Sequence, residues 1–156
     1  MKKAIICILA IMTAICIPVS LSASALEPAE PQSVSYTETF EDGSYGIVTI
    51  TVFPAPTRAS TSGQKKYTYY NANNVKQWTV YLNGTFTYTG SSATCTAAST
   101  SYSINNNTWS VTKAAASRSG ATATGSFTVK KYTAGVVTQT VNKTLTLTCS
   151  ASGTLS

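Results

Sequence analysis

The stretch VKQWTVYLNGTFTYTG, residues 75–90, decides the fold. Read by its Asn83-Gly84 pair it is a hairpin, because Asn-Gly favours a two-residue turn. Read by phase it is one strand. Trp78, Val80, Leu82, Phe86 and Tyr88 are all even-numbered, and side chains two apart share a face of a strand. A tight turn would set Leu82 opposite Thr85 and Val80 opposite Thr87, mixing apolar and polar groups on one face. A single strand bending at Gly84 keeps the apolar set together, and this is the form the sequence predicts.

The same rhythm extends in both directions. From Val34 onward Thr, Val, Tyr and Phe dominate, Leu is rare, and no segment shows a helical period. KKYTYYN (65–71) is a short strand running into the turn NANN, and PAPTRASTSGQ (54–64) reads as a linker or crossover. VSYTETF (34–40) and GIVTITVF (46–53) flank EDGSY. A two-residue turn at Asp42-Gly43 would put Val48 opposite Thr37. A five-residue loop pairing Tyr36 with Ile50 and Val34 with Val52 is expected instead.

Beyond residue 90 the apolar phase is odd. It runs through Ala93, Cys95 and Ala97, then Trp109 and Val111 after an Asn105–Asn107 turn. SRSG (117–120) is a further turn, followed by Ala121, Ala123, Phe127 and Val129. A turn near Ala134-Gly135 leads to Val137, Val141, Leu145, Leu147 and Cys149. Short strands at this spacing predict an all-β chain: an antiparallel β-sandwich of about seven to eight strands, in one domain over residues 34–156.

The N-terminal MKKAIICILAIMTAICIPVSLSASA (1–25) has the three parts of a secretory signal peptide. Lys2 and Lys3 form a basic head, an apolar run follows, and Ala23-Ser24-Ala25 is a small-residue cleavage pattern. The run is shorter than the ~20 apolar residues that span a bilayer. Ile6 and Ile15 precede Cys7 and Cys16, where a lipoprotein would need a small residue, so both cysteines read as part of the signal. LEPAEPQS (26–33) reads as a disordered arm. The expected product is extracellular, with no integral membrane association after cleavage.

Cys95 and Cys149 remain, and an even count in an exported chain implies a disulfide. Both fall on the apolar phase, which suits an inter-sheet bridge with Trp109 packed against it. In the chain-entropy model such a bridge contributes about 4 kcal/mol. A reactive thiolate or a metal site is the alternative. The chain contains no histidine, and two thiolates alone make no metal site.

The order Cys95…Trp109…Cys149 resembles that of the immunoglobulin fold, implying an immunoglobulin-like architecture. The resemblance departs at Leu147, where that family has a tyrosine, and only seven residues follow Cys149. More broadly, WTVYLNGTFTYTGSSATC, NNNTWSV and TLTLTCSASGTLS resemble small secreted proteins of Gram-positive gut bacteria that carry a domain of unknown function. That resemblance implies no activity.

Charge is segregated. All five acids (Glu27, Glu30, Glu38, Glu41, Asp42) precede Gly43, while nine of the eleven Lys and Arg residues follow it. A cationic body attracts anionic partners such as teichoic acids or acidic glycans. Scattered lysines also keep a Thr/Ser-rich sandwich soluble. Nothing points to specific nucleic-acid binding, a metal or another cofactor. Without histidine a Ser-His-Asp triad is impossible, and no motif marks a Ser-Lys dyad. Glu38 stands out because it lies on the apolar phase of its strand, as a residue paired with a lysine or on an edge would. No catalytic residue is assigned.

Tyrosines are the better lead. Tyr67 and Tyr69 share one face of their strand and Tyr70 takes the other, beside Lys65 and Lys66. Exposed rings next to lysines stack on sugars or meet anionic polymers. Packing within the sheet is the competing role. The expected function is therefore a secreted, non-catalytic module binding a cell-surface polymer, glycan or protein partner. The alternative is a cationic, bacteriocin-like antagonist of anionic membranes or envelopes, which an amphipathic helix would favour and this sequence lacks.

Overall fold

The computed structural model describes residues 30–53 and 59–156. The expected signal peptide and the first half of the 26–33 arm lie outside them. Eight strands follow in order: β1 (Gln32–Thr39), β2 (Tyr45–Phe53), β3 (Ser60–Tyr70), β4 (Lys76–Tyr88), β5 (Ala93–Ile104), β6 (Trp109–Ser119), β7 (Thr122–Thr133) and β8 (Val136–Thr148). They form two antiparallel sheets, β1-β2-β3-β4-β5 and β6-β7-β8. Among the described residues no helix is long and apolar enough to cross a membrane.

Both sheets are simple meanders, each strand pairing with its sequence neighbour. This corrects the immunoglobulin-like expectation, since that fold uses Greek-key connections in which strand order is not consecutive. The chain changes sheet once, between β5 and β6. All hairpins on one side gather at one end of the sandwich, here the upper end: the β1–β2, β3–β4, β5–β6 and β7–β8 turns.

The phase argument for β4 holds. It is one thirteen-residue strand with Trp78, Val80, Leu82 and Phe86 buried on the inner face. The opposing core comes from Trp109, Ala123, Phe127, Val129, Leu145 and Leu147. At the upper end Tyr69 stacks on Trp78, with ring centroids 5.1 Å apart, and meets Trp109 edge-on at 5.7 Å. Trp78 Nε1 is a buried donor without an acceptor among the described residues.

Several expectations are corrected. Ser60–Gln64 is strand, not linker: Thr61 and Gly63 are buried, and Gly63 leaves room for Leu155, whose Cδ1 would lie 2.5 Å from a Cβ there. Small residues let another side chain approach the backbone, so a polar composition hid a core strand. The β1–β2 loop does have five residues, but they are Phe40–Ser44. The register pairs Tyr36 with Val48 and Val34 with Ile50, two residues from expectation. Asp42 causes the shift: its Oδ1 accepts from Ser44 N (3.0 Å) and Ser44 Oγ (2.5 Å), closing a tight turn. β1 begins at Gln32, inside the expected arm. The SRSG turn shrinks to Gly120-Ala121, with Ser117–Ser119 in β6.

Two β-bulges break the odd phase. The register shifts between Thr85 and Phe86, so Phe86 faces Cys95 while Ala97 faces Thr85. Ala97 is consequently exposed and Ala98 packs inward. Val137 is likewise exposed, next to a bulge in β8, where Thr138 is the extra residue between the partners of Lys131 and Tyr132.

Candidate functional site

The five residues singled out as a binding patch do not form one. β3 alternates, so its odd residues turn into the sandwich and its even ones turn out. Tyr67 and Tyr69 are core rings, 1% and 5% exposed. Lys65 points the same way and is half-buried. Only Lys66 and Tyr70 face outward, where Tyr70 stacks on Tyr45 (4.9 Å, 7° between planes). The sequence allowed packing for these rings, and for Tyr67 and Tyr69 packing is the role.

Lys65 and Tyr67 instead join a charged cluster between the sheets. Glu38 on β1 forms an ion pair with Lys143 on β8, and Lys143 Nζ sits 4.1 Å from the Tyr67 ring centroid. Glu38 is thus both paired with a lysine and on an edge strand. Burial holds the Tyr67 phenol well above its ordinary pKa, with Glu38 and Tyr69 adding to the shift. Burial and the neighbouring Lys143 push the Lys65 ammonium down, and Glu38 opposes them. A phenol under a paired ammonium fills the space between the sheets beside Glu38.

The cysteines lie at the lower end of the sandwich, remote from Trp109. Cys95 N donates to Gly120 O (2.7 Å) and Cys149 N to Ala121 O (3.0 Å), so consecutive carbonyls of one turn anchor both residues. Arg118 Nη1 bonds Cys95 O at 3.4 Å and also Thr96 O, tying β6 to β5. Both thiols are free in this structure and buried. Burial raises each pKa, and each departs further from thiolate character. At Cys149 the Cys95 thiol adds to the rise. Trp109 sits at the upper end, bonded through Nε1 to Gln77 Oε1 (3.2 Å). The expectation that it packs on the cysteines is therefore corrected: β6 carries it from one end of the sandwich while the cysteines occupy the other.

What sequence reading missed is a cleft at the upper end, built by three hairpin turns. One lobe, about 410 Å³, is lined by Phe40, Glu41, Tyr69 and Val141. The other, about 300 Å³, is lined by Asn71, Asn73, Gln77, Asn106, Trp109 and Lys131. Asp42, Ser44, Tyr69 and Gln139 line both, making the lobes continuous.

Internal bonds fix the frame of this cleft. Asn71 Oδ1 accepts from Asn73 N and Val75 N. Asn106 Nδ2 donates to Gln77 Oε1 (2.8 Å), while Asn106 Oδ1 accepts from Thr108 N and Oγ1. The turn asparagines thus hold backbone, and Gln77 joins β4 to β6. Lys131 Nζ lies over the Trp109 ring at 5.9 Å. Asp42 is held below its usual pKa by its bonds to Ser44. Each contributing segment reads as an ordinary turn, so no local motif announced the cleft. Among the described residues no group of three or more Cys, Asp or Glu could hold a metal ion.

Comparison with family models, curated proteins and solved structures returns no match to this chain.

Proposed function

We propose that the protein is an exported, non-catalytic module whose upper cleft binds a glycan of a cell surface. The observation that carries this reading is the cleft's chemistry: amides, a carboxylate and a lysine beside the rings of Tyr69 and Trp109. Planar polar groups that donate and accept in pairs match sugar hydroxyls, and the nearly buried Tyr69 and Trp109 rings give them a rigid floor. A frame fixed by internal hydrogen bonds reduces the entropy lost on binding. Glu41 and Asp42 at the rim favour a neutral glycan here over a teichoic acid.

Export follows from the signal-like N-terminus, and with it goes the proposed Cys95–Cys149 bridge. Two buried thiols whose backbones are anchored to adjacent carbonyls of one turn support that bridge in an oxidising compartment.

The test is calorimetric titration with soluble fragments of cell-surface polysaccharide, backed by sedimentation with isolated walls before and after teichoic acid is stripped. Stripping is expected to leave binding intact, and N73A or Q139A to weaken it roughly three- to thirtyfold, the effect of losing one or two neutral hydrogen bonds. Binding that vanishes on stripping, or that neither variant alters, would transfer the role from the cleft to the scattered lysines.

A further inference from the structure

The two layers of the sandwich are unequal, and the difference is two strands. β8 packs over β3, β7 over β4 and β6 over β5. Among the described residues, no Cα of β1 or β2 comes within 8 Å of β6, β7 or β8. The inner face of β1 and the lower part of that of β2 therefore overhang, while Gly46 and Val48 higher on β2 are buried against Tyr67. Val34 is 71% exposed and Tyr36 is 50% exposed, and with Ile50 and Val52 they point toward the space beside β8. Val34, Ile50 and Val52 line a groove of about 560 Å³ there, closed at its lower end by Leu155 and Ser156.

Two strand edges border this space. Among the described residues β1 pairs with no strand but β2, and β8 with no strand but β7, although Ser156 occupies the β8 edge at Thr148. Phe40 N donates to Ser44 O, which makes that pair hydrogen-bonded and sends the backbone groups of Ser33, Ser35, Thr37 and Thr39 to the free edge. Thr148 exchanges both bonds with Ser156, so Thr146, Thr144, Asn142 and Thr140 present theirs along the same free edge of β8.

We propose that two copies of this chain associate through these surfaces, β1 of each pairing antiparallel with β8 of the other, so that each overhanging β1–β2 ribbon covers its partner's. The strand count closes. A two-fold axis parallel to the strands joins the five-stranded sheet of one copy to the three-stranded sheet of the other. Two eight-stranded layers result. Over β2 lies β1 of the partner, and over β1 lies its β2. Strand direction agrees, since every connection reverses the chain and β1 runs opposite to β8.

Charge agrees as well. An inward lysine on an edge strand normally discourages pairing. Here Glu38 already bonds Lys143 within one copy. Lys143 is therefore already neutralised and does not oppose the pairing. The contact consists of one ribbon face and two edges. Each strip is about 27 Å long and about 10 Å wide for an eight-residue strand, which gives roughly 800 Å² per copy, the size of a standard specific interface.

The experiment is sedimentation velocity on the purified full domain, with circular dichroism on every variant. The wild type is expected to run as a dimer at about 100 μM, a concentration that detects even a micromolar association. V34K changes a side chain that is already mostly exposed, and S35P removes an N–H that faces the free edge. Both are expected to yield folded monomers, and T144P on the β8 edge likewise. If S35P or T144P disturbs the sheet, V34K alone decides. A wild type that stays monomeric at this concentration would overturn the proposal. So would a dimer that V34K leaves intact, or a groove that proves to be filled by a different polypeptide.

Discussion

Gly46 to alanine is the sharpest probe of how this sandwich is packed. Gly46 lies in β2 with an ordinary strand conformation, so the backbone alone would welcome a side chain there. Added to an unstrained strand position, a Cβ stabilises by about 0.5–1 kcal/mol through lost chain freedom. The Tyr67 ring reverses the sign. It lies across Gly46 so closely that a Cβ would fall 2.2 Å from its Cζ and Oη. The ring has no retreat: it is 1% exposed, Trp78 is packed 5.5 Å away, and the Lys143 ammonium caps its face at 4.1 Å. Overpacking of this kind costs about 1–3 kcal/mol. Y67A alone costs about 3–5 kcal/mol through the cavity it leaves. In the Y67A background the same G46A change meets open space and becomes neutral or stabilising. The double-mutant cycle should therefore show a coupling of about 1.5–4 kcal/mol, with the second substitution rescuing the first. Urea unfolding followed by tryptophan fluorescence measures all four corners. Additive effects would mean that the ring does not occupy the glycine's face, and the account of the β2–β3 packing would be wrong.

Other outcomes follow from the same geometry. Asp42 has a folded pKa below its ordinary 3.8, so the unfolded chain binds more protons as the solution acidifies. The stability contributed by the Asp42–Ser44 turn should be complete above about pH 4–5 and fall as pH drops through the folded pKa, and D42N should flatten that part of a stability–pH profile. A134N should raise the urea midpoint by the equivalent of about 0.5–1 kcal/mol, because Ala134 holds φ 50° in the β7–β8 turn and asparagine tolerates that region better. The proposed Cys95–Cys149 bridge predicts no alkylation of the secreted protein without reductant, and a loss of about 2–4 kcal/mol on reduction. Rapid alkylation in the native state would refute it.

The strands were legible because their apolar residues alternate, and β4 shows how far that signal reaches: phase alone overruled the Asn83-Gly84 turn cue. Legibility failed where two residues occupy one pleat. The bulge opposite Phe86 moves the inner phase of β5 from odd to even, exposes Ala97 and buries Ala98. It leaves no mark in composition. The 60–64 segment was obscured for another reason. Its small polar residues serve a core by leaving space, and the side chain that uses the space, Leu155, is far away in sequence. The cleft was invisible because it belongs to no segment: Asp42, Asn73, Trp109 and Gln139 meet only when three hairpins reach the same end.

Topology also bears on what such a cleft can accomplish. A single shallow site framed by neutral amides binds a sugar weakly, since each hydrogen bond adds only about 0.5–1.5 kcal/mol. The proposed dimer has its axis along the strands, so both upper ends point the same way and two clefts face one surface. A polymer held by the first cleft then meets the second at high effective concentration, and avidity exceeds single-site affinity by about 10²–10⁴. Cleft and overhang can be separated by experiment. V34K should leave titration with a short oligosaccharide unchanged while weakening retention on an intact wall, and Q139A should weaken both. Should V34K prove dispensable for wall retention, the two surfaces serve unrelated purposes, and the overhanging ribbon would need a reason of its own.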